Sequence, residues 1–275
     1  MRGLDTVDAF LLDLDGTCYV DERLLPRAHA LLALLEQRGA PYLFLTNNSS
    51  ARATDYQMRL ARLGLQVPAR RILTSGEATV RYLLRETPFR RVFLLGTPSL
   101  EAEFLEAGLA LAERDAECVV VGFDKTLTYD KLARACLLLQ QGLPYFATHP
   151  DYTCITEEGR IPDAGAIIAG IEKVTGRSPK VIGKPEPEMV AAALQRLGST
   201  AERTAMVGDQ LDTDMTMAAR AGLFGVLVLS GETSRERLES QSAVRPDLVL
   251  THIGELWELL VGMGGGSTER HRGPA

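Results

Sequence analysis

The chain has 275 residues, 45% of them hydrophobic and 24% charged, which is ordinary for a globular protein of one large or two average domains. Its net charge of −6 argues against nucleic acid as the main partner, because nucleic-acid binders usually present a basic face. No apolar run reaches the roughly 18 residues that span a bilayer, and the four cysteines form no CxxC pair, so we expect no membrane contact and a cytoplasmic protein with reduced thiols.

The first 76 residues alternate predicted strands and helices. Apolar runs predict strands at 7–12, 42–45 and 71–74, and helical spacing predicts helices at 24–38 and 51–63. Each helix is followed by a glycine, Gly39 or Gly64, as is common at helix ends. This β-α-β-α-β alternation implies a parallel sheet.

The remaining chain repeats the alternation in two blocks. In the middle block we predict strands at 92–95, 118–121 and 145–147 and helices at 99–107, 129–140 and 164–175. In the last block we predict strands at 204–207, 225–229 and 248–250 and helices at 188–197 and 253–261. The sequence therefore predicts an α/β core of residues 1–76 and 180–262, an inserted α/β domain of residues 77–179, and a disordered, Gly-rich tail of residues 263–275.

Polar side chains follow several of these strands, at the point where each strand ends. Asp13 and Asp15 follow the first strand two residues apart, so an extended backbone would place them on one side. Later strand ends carry further polar residues, namely Thr46 with Asn47, Lys184, and Asp209 with Asp214. Because the carboxyl ends of parallel strands meet at one edge of a sheet, these groups can converge there.

This combination of carboxylates, threonine and lysine suits phosphoryl transfer. A carboxylate about 4 Å from a phosphate charge meets roughly 4 kcal/mol of repulsion at an effective dielectric of 20. A divalent cation and a lysine offset that repulsion. Magnesium prefers oxygen ligands, and the sequence offers no His/Cys cluster of the kind that binds zinc.

These residues, in this order, resemble the haloacid dehalogenase (HAD) superfamily of aspartate-nucleophile phosphatases. The motifs stand here as Asp13-Leu14-Asp15-Gly16-Thr17, Leu45-Thr46-Asn47-Asn48-Ser49, Gly183-Lys184-Pro185, and Gly208-Asp209 through Thr213-Asp214. The block inserted between the second and third motifs is similar to the large α/β cap of subclass IIA, which includes p-nitrophenyl, nucleotide, phosphoglycolate and pyridoxal phosphate phosphatases. The resemblance implies a Rossmann-like HAD core with a parallel sheet and an inserted α/β cap domain.

The resemblance also implies a role for each motif residue. Asp13 would be the nucleophile, and Asp15 would protonate the leaving oxygen and then activate water. Thr46 and the backbone N–H that follows would hold phosphoryl oxygens, and Lys184 would pair with Asp13 and the phosphate. The implied Mg²⁺ site comprises Asp13, the backbone carbonyl of Asp15, Asp209 and Asp214. Asp214 would contact the metal directly, contact a metal-bound water, or orient Lys184. The implied substrate-binding residues are Thr46, Asn47, Asn48, His149, Asp151 and Lys184.

Simpler interpretations compete with several of these roles. Thr46 and Asn47 could cap a helix that starts near Ser50, and Lys184 could be a solvated loop lysine. The first motif could be an exposed, Asp-rich turn. We interpret Cys18, beside this motif, as a packing residue, and Asp212 as a surface or helix-start charge.

The sequence also departs from the family pattern at two cap positions. The family often has an asparagine where His149 stands, and a Pro-Gly pair where Pro162-Asp163 stands. His149 could select the substrate or be a satisfied structural histidine.

The sequence thus predicts a Mg²⁺-dependent phosphatase that hydrolyses small phosphorylated metabolites of sugar phosphate, nucleotide or phosphoglycolate type through an aspartyl-phosphate. The alternatives are a phosphotransferase or mutase of the same superfamily and a catalytically silent phosphometabolite-binding regulatory protein. The large cap argues against a mutase, and the intact Asp13/Asp15 pair argues against a silent protein. A homodimer formed through the cap is a candidate assembly.

Overall fold

The computed structural model describes residues 3–156, 158–240 and 244–265 as a mixed α/β protein. Its strands are β1 (Ala9–Asp13), β2 (Tyr19–Val20), β3 (Arg23–Leu24), β4 (Tyr42–Thr46), β5 (Ile72–Thr74), β6 (Arg91–Leu95), β7 (Ala110–Leu111), β8 (Cys118–Val121), β9 (Tyr145–Ala147), β10 (Thr153–Thr156), β11 (Gly159–Pro162), β12 (Lys180–Val181), β13 (Thr204–Gly208), β14 (Phe224–Val228) and β15 (Leu248–Leu250). Its α-helices are α1 (Ala28–Gln37), α2 (Ala53–Arg62), α3 (Ser75–Glu86), α4 (Pro98–Glu106), α5 (Tyr129–Gln140), α6 (Ala164–Thr175), α7 (Pro187–Leu197), α8 (Thr216–Ala221), α9 (Arg235–Ser240) and α10 (Ile253–Gly265). Among these described helices, none has both the length and the apolar character that crossing a membrane requires.

The chain divides into two compact units. The first comprises Met1–Leu43, Leu63–Leu65 and Leu197–Ala275, and the second comprises Phe44–Arg62 and Gln66–Arg196. The predicted division into a core (1–76 and 180–262) and a cap (77–179) uses other boundaries and stays a prediction.

The first unit is organised by parallel strands in the order β15-β14-β13-β1, with the start of β4 next to β1. Ala9 of β1 lies opposite Thr204 of β13, and Leu12 lies opposite Val207. All five residues of β1 are buried, as expected of a parallel strand covered on both faces. This register brings the ends of β1 and β13, at Asp13 and Gly208, to the same edge of the sheet.

The second unit contains a sheet of parallel strands in the order β12-β9-β8-β6-β7. The core on one face joins Val119 and Val121 of β8 to Leu138 of α5 and Ile171 of α6. The end of β4 pairs with β5 in the same unit. The predicted fold class, α/β with parallel sheets, is confirmed.

The structure differs from the predicted elements in several places, including short elements that were not predicted, such as β7 and α9. Helix α1 begins at Ala28 rather than residue 24, because the preceding residues form the antiparallel β2–β3 pair. The sequence analysis missed α3, which Thr74 caps by accepting a hydrogen bond from Glu77 N, and it missed the β10–β11 hairpin. Helix α10 continues to Gly265, and the remainder of the predicted disordered tail, 266–275, lies outside the described residues.

Candidate active site

A cluster of three buried carboxylates lies at the carboxyl end of β1 and β13. One carboxylate oxygen from each of Asp13, Asp209 and Asp214 lies within 4.8 Å of the other two. We call these three residues the carboxylate cluster. Their exposed fractions are 7%, 1% and 0%, respectively. Three like charges so close and so well shielded from water favour a bound cation.

Asp209 is held by the loop that follows β14. Glu232 N donates to Asp209 Oδ2 at 2.6 Å, and Thr17 Oγ1 donates to Oδ1 at 3.4 Å. A Cβ atom on Gly16 would lie 2.5 Å from Asp209 Oδ2, so only glycine fits at that position. Gly16 also has a positive φ of 79°, a conformation that glycine adopts without strain. The Asp-Gly turn after β1 therefore makes room for the Asp209 carboxylate.

Asp214 lies in a π-helical turn, Leu211–Met215, that leads into α8. Gln210 N donates to Asp214 Oδ2 at 3.1 Å, which fixes the carboxylate at the start of that turn. Single π-turns occur frequently at functional sites. Asp212 in the same turn is exposed and pairs with Arg237 at 2.6 Å, which confirms its interpretation as a surface charge.

Asp15 lies beyond the end of β1, and its side chain is exposed. The strand ends at Asp13, and Asp15 forms an isolated bridge with Tyr19. Among the described residues, the carboxylate cluster does not include the Asp15 side chain. The predicted contribution of its backbone carbonyl to a metal site stays a prediction.

Cys18 lies beside the carboxylate cluster but is a packing residue, as predicted. Its side chain is buried, and Sγ donates to the carbonyl of Asp13 at 3.2 Å. Burial, together with the charges of Asp13 and Asp15, raises the pKa of the Cys18 thiol well above its ordinary value. The thiol therefore stays protonated and is a poor nucleophile.

The donor set of the carboxylate cluster fits a hard divalent cation. Carboxylate oxygens are the ligands that Mg²⁺ and Ca²⁺ prefer, and Mg²⁺ usually binds through one or two of them and keeps several waters. The cluster holds no cysteine or histidine ligand, so its chemistry does not match a structural zinc site.

In the second unit, the loop after β4 is shaped by its own side chains. Thr46 Oγ1 accepts from Asn48 N at 3.1 Å, and Asn48 Oδ1 accepts from Ser50 N at 3.0 Å. Helix α2 begins only at Ala53, so the interpretation of Thr46 and Asn47 as its cap is wrong. Thr46 is buried and ends a strand, where its side chain is held rigidly.

Asn47 ties the loop after β4 to the loop that carries Lys184. Its Oδ1 accepts from Lys184 N at 2.8 Å, and its Nδ2 donates to Lys184 O at 3.0 Å and to Asp151 Oδ2 at 3.1 Å. We call Asn47, Asp151 and Lys184 the asparagine bridge. Lys184 is 3% exposed, so the interpretation of a solvated loop lysine is wrong. The bridge fixes the backbone of Lys184 and hence the starting point of its side chain.

His149 is fully buried, and both ring nitrogens contact polar partners in the second unit. Nε2 lies 2.8 Å from Asp163 Oδ1, and Nδ1 lies 2.9 Å from Thr148 Oγ1. Burial alone would lower the pKa of His149, but the carboxylate of Asp163 gives a net rise. The two positions at which the sequence departs from the family pattern, His149 and Asp163, therefore contact each other.

The structure thus brings the predicted residues together in two groups, one in each unit. The carboxylate cluster holds three of the predicted metal ligands. The asparagine bridge and its neighbours hold the predicted substrate-binding residues Thr46, Asn47, Asn48, His149, Asp151 and Lys184. Burial and pairing of His149 argue against a direct substrate contact for that side chain.

The sequence analysis missed the loop after β14. Ser230 Oγ donates to Gly16 O at 2.7 Å, and Thr233 N donates to Asp209 O at 3.2 Å. The available signal was the run Ser230-Gly231-Glu232-Thr233, a polar, glycine-containing segment directly after a predicted strand. Such a segment at the carboxyl end of a parallel strand is where ligand-binding loops are found.

Comparison with known proteins agrees with this architecture. The family model of haloacid dehalogenase-like hydrolases matches residues 10–110, and a HAD-hydrolase-like model matches residues 181–256. An acid sugar phosphatase of Staphylococcus aureus (strain USA300) is 34% identical over 235 residues, which cover 85% of this chain and 91% of that protein.

Solved structures of phosphatases are also similar to this chain in sequence and in fold. A 4-nitrophenylphosphatase from Thermotoga maritima is 45% identical with a TM-score of 0.90, over 93% of this chain and 98% of that chain. A p-nitrophenyl phosphatase from Archaeoglobus fulgidus is 33% identical with a TM-score of 0.87, over 92% and 99% of the two chains.

The chain therefore belongs to the haloacid dehalogenase-like hydrolases, in the subclass IIA of capped phosphatases. The predicted family, the HAD fold and the predicted enzyme class, a phosphoric monoester hydrolase, are all confirmed by these relatives.

Proposed function

We propose that this phosphatase hydrolyses small phosphorylated metabolites with the help of Mg²⁺ and through an aspartyl-phosphate on Asp13. The observation that carries the proposal is the carboxylate cluster, in which Asp13, Asp209 and Asp214 lie buried within 4.8 Å. When bound by these carboxylates, Mg²⁺ would neutralise charge on the phosphoryl oxygens and so allow an anionic nucleophile to approach.

Asp13 is the proposed nucleophile. Its carboxylate stands at the end of a fully buried strand, so the backbone that carries it is rigid. One carboxylate oxygen of Asp13 attacks phosphorus, and the P–O bond to the leaving alcohol breaks.

Asp15 is the proposed general acid and base. Its side chain is exposed, whereas those of the carboxylate cluster are buried, so it can exchange protons with the leaving group and with water. It protonates the leaving oxygen in the first step. It then takes a proton from the water that attacks the aspartyl-phosphate, which releases inorganic phosphate and regenerates Asp13.

Thr46 and Lys184 are proposed to bind the phosphoryl oxygens. Thr46 offers a hydroxyl at a strand end, and Lys184 offers a positive charge whose backbone is fixed by Asn47. A buried lysine at such a site neutralises phosphate charge more strongly than a solvated one, because the local dielectric is lower.

Sugar phosphates are the first substrate class to test, because the staphylococcal relative is named an acid sugar phosphatase. Nucleotides and phosphoglycolate form the other proposed classes. Aryl phosphates are suitable reporter substrates, because two structural relatives are named for that activity. A cytoplasmic location and a homodimer formed through residues 77–179 stay predictions.

The test is a screen of phosphate release from sugar phosphates, nucleotides, phosphoglycolate and p-nitrophenyl phosphate. Each substrate is measured with Mg²⁺, after chelation, and after Mg²⁺ is restored. We expect Mg²⁺-dependent release from at least one metabolite of these classes. Transfer of the phosphoryl group to an added alcohol without net release would favour the phosphotransferase alternative. Phosphate-ester binding without any turnover would favour the silent regulatory protein.

A further inference from the structure

His149 lies at the centre of a set of buried polar side chains in the second unit. Its ring contacts Asp163 through Nε2 at 2.8 Å and Thr148 through Nδ1 at 2.9 Å. Thr148 Oγ1 in turn lies 2.9 Å from Ser49 Oγ, and Ser75 Oγ lies 3.5 Å from His149 Nδ1. We call these five residues, Ser49, Ser75, Thr148, His149 and Asp163, the histidine network.

The histidine network is attached to the loop that carries Thr46 and Asn47. Ser75 Oγ donates to Asn47 O at 2.5 Å, and Ser49 in the same loop accepts from Phe123 N at 2.9 Å. His149 is two residues from Asp151, which accepts from Asn47 Nδ2 at 3.1 Å. The network therefore contacts the backbone of Asn47 through Ser75, and Asp151, two residues after His149, contacts the side chain of Asn47.

A second chain of contacts runs from the same loop to Lys184. Gly183 N donates to Thr148 O at 2.8 Å, and Asn47 holds both the N–H and the carbonyl of Lys184. A Cβ atom on Gly183 would lie 2.7 Å from Asn47 Oδ1, so the loop packs too closely for any larger residue. The residues beside His149 thus fix the backbone on which Lys184 stands.

The His149–Asp163 contact attaches the histidine network to helix α6. Asp163 is the N-cap residue of α6 and accepts from Ala164 N at 2.5 Å, so its carboxylate is fixed by the start of the helix. The charged and titratable groups that act on His149 are Asp163, Asp151 and Lys184. A buried imidazole between a helix-capping carboxylate and a hydroxyl has one preferred ring orientation.

We propose that the His149–Asp163 pair is a positioning pair for phosphoryl binding, which holds Asn47 and Lys184 in place through Thr148, Ser75 and Asp151. The inference rests on the proposed role of Lys184 and Thr46 in binding phosphoryl oxygens. His149 does not touch the substrate. Because the phosphoryl group is common to all substrates, the pair affects every phosphate ester by the same factor and does not choose among leaving groups.

The test is a double-mutant cycle of His149→Asn, Asp163→Asn and the double variant. Asparagine at residue 163 keeps a side chain that can cap α6. Three quantities are measured for each protein: kcat/KM for several metabolites and p-nitrophenyl phosphate, the Kd for inorganic phosphate, and Tm. Ile171→Val, a core change on the same helix, controls for general loss of stability.

We expect each single variant to lower kcat/KM by about tenfold or more, equally for all esters, because small displacements of binding groups are costly. Phosphate Kd should weaken in parallel, and Ile171→Val should leave both quantities within twofold. The double variant should fall no further than the worse single variant, because the two side chains act as one unit. If His149→Asn does not fold, kcat/KM and the phosphate Kd of Asp163→Asn are compared with those of the wild-type protein and Ile171→Val.

Three results would overturn the inference: single variants within twofold of wild type, a loss that differs among esters, or a double variant whose loss is the product of the single losses. If the wild-type protein releases no phosphate from any ester, the proposed function fails instead. The inference is then still decided by the Kd for inorganic phosphate, measured for the wild-type protein, both single variants and the double variant.

Discussion

The carboxylate cluster and the histidine network are both buried, but they balance their charges differently. The cluster gathers three acidic groups within 4.8 Å, and the backbone N–H groups of Glu232 and Gln210 donate to Asp209 and Asp214. The network sets His149 against Asp163 at 2.8 Å and surrounds the pair with hydroxyls. The cluster gathers charges of one sign and therefore suits a bound cation, whereas the network pairs an imidazole with a carboxylate and supplies rigidity.

The comparison predicts that the cluster controls whether the enzyme turns over and that the network controls how well it binds phosphate. The variants below probe this difference, beginning with the largest expected effect.

Asp13→Asn should reduce phosphate release to below a few per cent of wild type, because an amide oxygen is a poor nucleophile toward phosphorus. The fold should persist, because asparagine has the same shape and the strand around it is unchanged. Steady-state kinetics and circular dichroism measure the two properties. Asp212→Asn, an exposed neighbour of the cluster in sequence, is the control and should stay near wild type. Substantial turnover by Asp13→Asn would show that another group attacks phosphorus.

Removal of divalent cations with EDTA should abolish turnover, and Mg²⁺ should restore it. Ca²⁺ should inhibit, because it accepts higher coordination and bidentate carboxylates and would occupy the oxygen of Asp13 that must attack. Rates measured in a series of Mg²⁺ and Ca²⁺ concentrations check both statements. Full activity after exhaustive chelation, or equal rates with the two ions, would contradict the assignment of the cluster as a Mg²⁺ site.

Tyr152 should influence which ester is preferred without affecting phosphoryl binding. It follows Asp151 but is 67% exposed, so its ring is available to a leaving group. We expect Tyr152→Ala to change the ratio of kcat/KM between metabolites several-fold while the Kd of inorganic phosphate stays constant. Tyr129→Ala, which removes an 83% exposed tyrosine at the start of α5, is the matched control. A uniform loss for all esters would assign Tyr152 to the same role as His149.

Glu103 lies outside both the carboxylate cluster and the histidine network, and we expect its ionisation to have a small effect on the stability of the fold. Burial, reinforced by the charge of Glu77, raises the pKa of Glu103 from 4.5 to about 8. The folded protein therefore holds this proton more tightly than the unfolded chain, and the resulting stability is lost as pH rises from about 4.5 through about 8.

Glu103→Gln stays neutral at every pH, so its Tm should exceed that of wild type at pH 8 by about 2–4 °C, corresponding to about 1 kcal/mol. The difference should vanish near pH 4.5, where the wild-type side chain is also protonated. Glu101→Gln on the same helix is the control. A Tm difference independent of pH would contradict the raised pKa.

Local pattern predicted the strands of the sheet and the convergence of their polar ends, and the resemblance to the family implied which carboxylates form the cluster. A buried apolar run specifies β1, and aspartates at the ends of β1 and β13 must meet when the strands are adjacent and parallel. The missed helix α3 shows the limit of that reasoning. Ser75-Gly76 looks like a turn, but Thr74 caps a helix there, and Gly76 packs against Leu100 and Glu103 of α4.

The His149–Asp163 contact could not be predicted from spacing. The two residues are 14 apart in sequence and are separated by the β10–β11 hairpin, whose strands pair Thr153 with Pro162. That hairpin returns the chain to its starting point and so brings Asp163 back to His149. Without the hairpin, each residue looked like an isolated departure from the family pattern.

The central claim is that Asp13 carries the phosphoryl group during turnover. The most direct measurement is an acid quench of the enzyme during hydrolysis of a ³²P-labelled ester, followed by mapping of the labelled peptide. We predict a label on the peptide that contains Asp13, sensitive to alkali and hydroxylamine as an acyl phosphate is, and no label with Asp13→Asn. A wild-type enzyme that turns over rapidly while its label lies on another residue would contradict the account.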